Sequence, residues 1–329
     1  MTRRDVTVVI PTRNRVGLLA ITLATVRAQV GVDPEVVIVD DGSDPEPAAA
    51  LQEFRDERTT ILRNEASRGV AAARNQGLQA ASTRWVAFLD DDDLWTPTKL
   101  ARQLASVCEV GAAWVYSGAV KFEVGPILWQ LMLPPSPDDV QRKLADANII
   151  PAGASNVLAD RETVLGLGGF DEGLQHLSDW DMWLRLLSAS VPAAVSAIAV
   201  GYRLHRRAMS LNPAGMLRDV ALLDTRWRAM RSDRPLETGP THLWVAMSHL
   251  RAGNRFRAML HYLRATPTRP SAAWRGLLRT LHPARPTPAH VLDGQEVRRS
   301  PFKRIRRIQL SDEVAALLDR YATLRSEHQ

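Results

Sequence analysis

The sequence has little cysteine and no long apolar run. Cys108 is its only cysteine, which excludes an internal disulfide and a cysteine-based metal site. A single thiol suits a reducing, cytoplasmic compartment. No stretch of about 18 apolar residues is present, so no membrane-spanning helix is expected. Polar residues 2–5 lead directly into a strand-like run, and we expect no signal peptide.

Lysine is also scarce, and charge is unevenly distributed along the chain. Only four of the 42 basic residues are lysine, and we draw no functional conclusion from arginine richness alone. The 329 residues are 45% hydrophobic, which is typical of one or two folded domains. Residues 1–211 hold 21 of the 42 basic and 26 of the 36 acidic residues, a net charge of −5, so residues 212–329 carry +11. This asymmetry predicts two regions with different functions.

Short β-branched runs alternate with helical patterns over the first 95 residues. The predicted strands are Val6–Ile10, Glu35–Val39, Thr59–Leu62 and Trp85–Leu89. The predicted helices between them are residues 16–29 and Val70–Ala80, and a loop is expected at Pro11–Arg15. This alternation predicts an α/β fold with a mostly parallel sheet.

The rest of the chain is less regular. We predict strands at Ala112–Tyr116, Val120–Val124 and Ala193–Tyr202, a loop at Pro134–Pro137 and a helix over residues 178–188. From about residue 212 onward, arginine-rich helices are expected, including a helical pair between His242 and Leu263.

Acidic clusters follow two of the predicted strands, at Asp40–Asp41 and at Asp90–Asp93. Ligands of open α/β sheets bind outside the carboxyl ends of the strands. Four adjacent aspartates repel one another unless a positive group lies among them, and Mg²⁺ or Mn²⁺ prefers carboxylate oxygen. The alternative is a solvated acidic loop before a helix with Thr96 as N-cap and Pro97 as its first residue.

Several common nucleotide and metal motifs are absent. No Gly-x-x-x-x-Gly-Lys-Ser/Thr motif is present, which argues against a P-loop nucleotidase. No Gly-x-Gly-x-x-Gly follows the first strand, which argues against the usual dinucleotide-binding fold. Neither acidic cluster has the spacing and distal glutamate of an EF-hand.

Four blocks occur in a characteristic order: Val8–Arg15, Val39–Ser43, Arg68–Gly77 and Phe88–Asp93. Together they resemble the family 2 glycosyltransferases, which have the GT-A fold. A second set resembles the acceptor-side blocks of the same family: Gly168–Glu172, Ser178–Leu186 and Tyr202–Ser210. The resemblance covers roughly residues 6–210. It implies a GT-A catalytic domain over residues 1–211, with a nucleotide-sugar half (1–95) and an acceptor half (96–211), followed by a basic helical region over 212–329.

The resemblance also implies a donor site across the strand ends, formed by Pro11, Thr12, Arg13, Asp40, Asp41, Arg74, Asp90 and Asp91. The loop at Pro11–Arg13 would hold the base and ribose, and Asp41 would accept a hydrogen bond from the base. Arg74 would face the diphosphate, where a charge-assisted contact is favourable. Asp90 would face the ribose. Asp92 is the expected metal ligand, and His205 is a second candidate for it.

Asp179 matches the catalytic base of such enzymes, which removes the proton of the acceptor hydroxyl. The family often has Glu-Asp at this point, whereas this chain has Ser178 before Asp179. Asp181 is the alternative base. The small-residue loop Gly153–Asn156 is a candidate for the acceptor entrance.

The expected function is therefore an inverting, metal-dependent glycosyl transfer from a nucleoside-diphosphate sugar, with UDP or dTDP favoured and Mn²⁺ or Mg²⁺ as cofactor. The acceptor would be a hydroxyl of a glycan, a lipid-linked glycan or a small molecule. The alternative is a catalytically inactive nucleotide-sugar- or metal-binding regulatory protein. A receiver-like module or a nucleotidyltransferase would leave Asp179 without a use.

The basic run Arg298–Arg307 bears on partners and location. It suits an anionic membrane surface, and a cytoplasmic protein at the inner membrane face is then expected. The alternative is a solvated face or a helix packed on the catalytic domain. We expect no nucleic-acid partner, because no recognised binding module accompanies the charge.

Overall fold

A computed structural model describes residues 5–123, 127–204, 213–251, 253–281, 290–292, 295–297 and 312–318. Its strands are β1 (Val6–Thr12), β2 (Glu35–Asp41), β3 (Thr59–Asn64), β4 (Trp85–Phe88), β5 (Leu94–Trp95), β6 (Trp114–Glu123), β7 (Ile127–Met132), β8 (Leu158–Asp160), β9 (Ala193–Arg203), β10 (His290–Leu292) and β11 (Gln295–Val297).

The helices of the first 204 residues are α1 (Val16–Arg27), α2 (Pro45–Leu51), α3 (Val70–Ala80), α4 (Lys99–Val110), α5 (Pro137–Lys143), α6 (Arg161–Gly166) and α7 (Ser178–Ala189). Those that follow are α8 (Pro213–Trp227), α9 (Gly239–Arg251), α10 (Arg255–Ala265) and α11 (Pro270–Leu281). Short 3-10 turns lie at Gln52–Phe54, Gly153–Asn156 and Arg228–Arg231, and residues 312–318 are helical. The expected helical pair corresponds to α9 and α10.

A single large sheet organises the molecule, with the strand order β3-β2-β1-β4-β8-β6-β9-β5 and β7 beside β6. The pairs β3–β2, β2–β1, β1–β4 and β6–β9 are parallel, whereas β8 runs antiparallel to both β4 and β6. The predicted α/β fold with parallel pairing in the first half is confirmed. The runs of β1 and β2 are buried on both faces because helices cover both sides of the sheet.

The first two strands are longer than the sequence predicts. Pro11 and Thr12 belong to β1, where they pair with Val39 and Asp40 of β2. The expectation of a loop from Pro11 was therefore wrong for its first two residues. Pairing with β4 ends at Val9, whose carbonyl accepts from the Leu89 amide 3.0 Å away. Beyond that point β1 needs no backbone N–H donor on the side facing β4. Pro11, which has no N–H, therefore fits there.

Other boundaries also differ from expectation. Helix α4 begins at Lys99 with Thr98 as N-cap, not at Thr96 and Pro97, and the Arg102 amide donates to the Thr98 carbonyl in its first turn. The segment expected to be a loop at Pro134–Pro137 ends in helix α5, which Ser136 caps by accepting from the Asp139 amide. The two strands predicted between residues 112 and 124 form one strand, β6.

The core has two layers, one on each face of the sheet. On one face, α3 and α7 cover the side of β1 that carries Val9, and the indole rings of Trp114 and Trp183 stack 6.1 Å apart. On the other face, α1 and α4 cover Val8 and Ile10. Alternate residues of β1 thus enter opposite layers, as the two-residue period of a strand requires.

The helices after residue 212 are of two kinds. Helix α8 packs into the main core through Val220 and Leu223. Helices α9 to α11 form a separate apolar cluster around Tyr262. The 312–318 helix returns to the sheet, where Leu317 and Leu318 meet residues of β5 and β6. None of the helices in the described parts of the chain is long and apolar enough to cross a membrane.

Candidate active site

The carboxyl ends of β1 and β2 are tied together by hydrogen bonds. The Asn14 amide donates to Ser43 Oγ over 2.9 Å, and Arg13 Nε donates to the Gly42 carbonyl over 3.3 Å. Gly42 has a φ of +75°, and a Cβ there would lie 2.6 Å from the Ser67 amide nitrogen. Glycine is therefore required at this turn. The two strand ends and the segment after β3 form one edge.

Asp40 and Asp41 at this edge are both buried and hydrogen-bonded. Asp40 accepts from Arg63 Nη1 over 2.7 Å and from the Ser43 amide over 2.9 Å. Asp41 accepts four hydrogen bonds of 2.7–3.0 Å, from Asn64 Nδ2, Ser67 Oγ and the amides of Arg68 and Gly69.

These bonds decide the state of the Asp41 carboxylate. Burial raises the pKa of Asp41, but the four hydrogen bonds outweigh it and hold the pKa below its ordinary value. A carboxylate offers about four lone-pair sites, so all of them are occupied. A nucleoside base that donates to Asp41 must displace one of the present donors.

The four consecutive aspartates after β4 point alternately into the protein and out of it. Asp91 is buried, and it accepts from Thr12 Oγ1 over 2.7 Å and from Arg15 Nη1 over 3.1 Å. Burial and the charge of Asp92 raise the pKa of Asp91 to about 7. Asp93 is fully buried and accepts from Ser155 Oγ over 2.5 Å; burial raises its pKa well above the ordinary value.

Asp90 and Asp92 are the partly exposed members, at 29% and 15% of the side chain. Asp90 accepts from Arg74 Nη2 over 2.5 Å, and Asp92 accepts from Arg15 Nη1 over 2.9 Å. The predicted acidic cluster therefore separates into an inner pair that orders the loop and an outer pair beside two arginines. Arg15 carries no role in the sequence-based prediction, although it lies within the quoted Val8–Arg15 block.

Arg74, on α3, is buried although it carries a charge. Its guanidinium lies 5.4 Å from the centroid of the Phe170 ring, and its Nε has no hydrogen-bond partner among the described residues. A buried, unsatisfied donor on a charged group is costly unless a ligand completes it. Arg74 is thus placed to accept an anionic partner beside Asp90.

Asp179 lies in the first turn of α7 and faces the same region. It accepts from Asn148 Nδ2 over 3.2 Å, and a Cβ at Gly153 would come within 2.6 Å of its Oδ2. Burial raises the pKa of Asp179; the charge of Arg74 lowers it and that of Asp90 raises it. A carboxylate with a raised pKa is a stronger base than a free aspartate.

The hydroxyl of Tyr202, at the end of β9, marks where these groups meet. Burial raises the pKa of this hydroxyl, and four negative charges raise it further, those of Asp93, Asp92, Asp90 and Asp179. The amide of Arg203, the next residue, donates to Asp93 over 2.9 Å, and the turn that holds Ser155 against Asp93 also places Gly153 against Asp179. The acidic loop and the predicted base therefore share one region of the structure. Tyr202 was not among the predicted site residues, although it opens the acceptor-side block Tyr202–Ser210 and lies at the end of β9.

Of the two remaining candidates, Asp181 lies away from the acidic loop and the 153–156 turn lies beside it. Asp181 is fully buried and bonded to Arg226, Arg185 and Trp227, away from this region. In the turn, Ser155 accepts from the Asp90 amide while donating to Asp93, so the turn connects the acidic loop to Gly153 beside Asp179.

The donor atoms suit a hard divalent cation. Asp90 and Asp92 offer carboxylate oxygen, and Mg²⁺ or Mn²⁺ commonly combines one or two carboxylates with water and phosphate oxygens. Over the described ranges, no three His, Cys, Asp or Glu residues are arranged to hold a metal ion by themselves. A cation here would need oxygens of the substrate. His205, the other predicted ligand, lies outside the described residues.

Comparison with known proteins agrees with this architecture. The profile of Glycosyl transferase family 2 matches residues 7–162. The chain is 30% identical over 211 residues to a putative teichuronic acid biosynthesis glycosyltransferase, TuaG of Bacillus subtilis, covering 63% of this chain and 82% of that protein. It is 28% identical over 209 residues to the Escherichia coli UDP-Glc:alpha-D-GlcNAc-diphosphoundecaprenol beta-1,3-glucosyltransferase WfgD, covering 63% and 80%.

Solved structures show the same fold. S. aureus TarS (residues 1–349) aligns with a TM-score of 0.53 at 15% identity, covering 89% of this chain and 95% of that one. Its complex with UDP-GlcNAc gives 0.52 at 16% identity, with the same coverage. The fold is that of a GT-A glycosyltransferase. The chain belongs to the family 2 glycosyltransferases and is a glycosyltransferase.

Proposed function

We propose that this protein transfers a sugar, with inversion, from a nucleoside-diphosphate sugar to a hydroxyl acceptor, assisted by a divalent cation. The observation that carries the proposal is that the buried cation Arg74 pairs with Asp90 of the acidic loop, while the 153–156 turn bonds this loop through Ser155 and places Gly153 against Asp179. One side of this region offers binding for a diphosphate and the other offers a base. Residues 1–211 supply all of these groups.

The donor half of the site lies at the ends of β1 and β2. Pro11, Thr12 and Arg13 contact the nucleoside in this proposal, with Asp40 and Asp41 next to them. Arg74 faces the diphosphate, since its Nε needs an acceptor. A UDP-type donor is supported by the name of the WfgD relative and by the UDP-GlcNAc complex of TarS; dTDP is the closest alternative in base chemistry.

The transfer itself needs one base and one stabilised leaving group. The acceptor oxygen forms a bond to the anomeric carbon while the bond from that carbon to the phosphate oxygen breaks, and the acceptor proton passes to a carboxylate oxygen of Asp179. Arg74 stabilises the negative charge of the departing nucleoside diphosphate. Asp92, with Asp90 nearby, would hold a divalent cation, which would supply Lewis-acid stabilisation of that leaving group. Mn²⁺ and Mg²⁺ both suit these oxygen ligands.

The acceptor is proposed only as a class. The named relatives act on a diphosphoundecaprenol-linked sugar and in teichuronic acid biosynthesis. We therefore infer an acceptor hydroxyl of a growing polysaccharide or glycolipid. The 153–156 turn, with Gly153 beside Asp179, lies where such an acceptor would approach the base.

The first test follows release of the nucleoside diphosphate from UDP-, dTDP- and GDP-sugars, with Mn²⁺ or Mg²⁺ and with a chelator. We expect metal-dependent turnover with a UDP or dTDP donor, and a loss of at least about 10²-fold in kcat/KM for Asp92→Ala. Glu162→Ala, which removes an exposed carboxylate of α6, is the matched control. Undiminished turnover by Asp92→Ala, with an unchanged melting temperature, would rule out the proposed role of Asp92.

A further inference from the structure

Helices α10 and α11 each expose a stripe of large apolar side chains. The stripes are Phe256, Leu260 and Leu263 on α10, and Trp274, Leu278 and Leu281 on α11, and these six side chains are 37–68% exposed. In both helices the spacing is i, i+4 and i+7, which places the three side chains on one face. Half of the twelve large apolar residues that are most exposed in the described structure lie on these two helices.

These stripes are not the faces with which the helices pack together. Ala258, His261, Tyr262 and Ala265 form the buried face of α10. At about 100° per residue, that face lies roughly opposite the stripe centred on Phe256 and Leu260. On α11 the buried face includes Gly276, which packs directly against the Tyr262 ring. Each helix therefore has one apolar face in use and a second apolar face at the surface.

The charge around the stripes has a single sign. Residues 253–281 contain no aspartate or glutamate and six arginines, Arg255, Arg257, Arg264, Arg269, Arg275 and Arg279. Arg269 pairs with Glu237 outside this segment. Five of the six arginines are exposed to solvent. A surface of this kind combines large apolar side chains with an excess of positive charge.

This combination distinguishes between binding partners. A nucleic acid would satisfy the arginines but leave six large apolar side chains in water. A second copy of the same face would bring like charges together across a two-fold axis. The boundary between headgroups and acyl chains of an anionic bilayer suits both features, because apolar side chains enter it while arginines contact phosphates. Tryptophan is enriched at this boundary.

We propose that α10 and α11 form a docking surface for an anionic lipid bilayer. The surface differs from the basic run Arg298–Arg307, which lies outside the described residues. The proposal does not rest on the proposed sugar transfer, because lipid binding through this face needs neither donor nor acceptor.

The experiment is co-sedimentation of the full-length protein with vesicles of phosphatidylcholine alone and with a phosphatidylglycerol fraction. We expect binding to the anionic vesicles that weakens as salt is raised, and little binding to the neutral ones. The triple variant Phe256→Ser, Trp274→Ser and Leu278→Ser should lose at least tenfold in vesicle affinity. The matched control, Val110→Ser with Leu133→Ser, removes equally exposed apolar side chains elsewhere and should bind like the wild type.

A second variant separates the apolar contribution to vesicle binding from the electrostatic contribution. Arg257→Gln with Arg275→Gln should reduce the preference for anionic over neutral vesicles. Circular dichroism melting of every variant excludes unfolding as the cause of a loss. The proposal is overturned if the wild type does not bind anionic vesicles, or if the triple variant binds them as well as the control does. It is also overturned if the triple variant only converts an oligomer to a monomer in light scattering, which would assign the face to a second copy.

Discussion

Four adjacent aspartates coexist in this structure because each residue has its own environment. Asp91 and Asp93 point inward, where hydroxyl and amide donors meet them and burial raises the pKa of each carboxyl. Asp90 and Asp92 point outward, where Arg74 and Arg15 offset their charge. The repulsion expected of such a run is thus reduced by burying alternate members and pairing the rest.

Asp179 gives the sharpest prediction for a single residue. Replacing it by Asn keeps the side-chain shape and removes the base, so kcat should fall about 10²–10⁴-fold with little change in KM. The pKa of Asp179 is raised, and this direction predicts how the rate depends on pH. The base must be ionised, so the wild-type rate should fall as pH drops through a value above the ordinary aspartate pKa of about 3.9. The variant should lack this acid limb.

The measurement is steady-state kinetics over a pH series, with Glu162→Gln as the control for an exposed carboxylate. Asp179→Asn should fold normally, because an acid with a raised pKa is destabilising when ionised and the amide removes that cost. A kcat within twofold of the wild type would exclude Asp179 as the base.

At the scale of elements, α3 shows how one glycine sets the distance between a helix and the sheet. A Cβ at Gly77 would lie 2.3 Å from Val9 Cγ1, a buried and rotationally stiff neighbour on β1. Gly77→Ala should therefore lower the free energy of unfolding by about 1–3 kcal/mol.

Gly17→Ala is the matched control, since Gly17 lies in α1 with nothing within 4 Å of its would-be Cβ. That change should be neutral or stabilise by up to about 1 kcal/mol. Urea unfolding of both variants measures the difference. Equal midpoints would show that the Gly77 contact relaxes at no cost.

The sequence predicts elements where the pattern is local and fails where the partner is remote. Helix α3 has the predicted bounds, because its ends are marked by Gly69 and by the polar residues after Ala81. Asp90 and Asp92 could be named as site candidates from the sequence because they come shortly after a strand; their roles stay predictions. The arrangement around Asp41 was not predicted, because its four donors come from a segment more than 20 residues away. The role of Asn75 was not predicted either. Its side-chain amide donates to the Phe170 carbonyl and accepts from the Phe170 amide.

At the scale of the whole molecule, α7 connects the predicted base to the C-terminal region. Asp179 faces the acidic loop, whereas Asp181 lies two residues later and faces α8. Its carboxylate accepts from Arg226 Nη1 over 2.7 Å, from Trp227 Nε1 over 3.0 Å and from Arg185 Nε over 2.9 Å. Helix α8 is therefore held against the helix that positions the base.

Removing that carboxylate should affect stability and activity together. Asp181→Ala leaves Arg185 without its buried partner and leaves Arg226, which is 44% exposed, paired with Asp171 alone. Because Arg226 keeps a partner and contact with water, the loss should lie at or below the lower end of the about 3–5 kcal/mol that breaking a fully buried ion pair costs. Since α7 also positions Asp179, the rate of transfer should fall as well. The activity that remains should keep the acid limb of the wild-type pH profile. Asp139→Ala is the matched control, because Asp139 also pairs with two basic residues but does so at the surface of α5. Its loss should change the unfolding midpoint little. Equal effects of the two substitutions in urea unfolding would mean that the buried carboxylate does not couple α8 to the catalytic core.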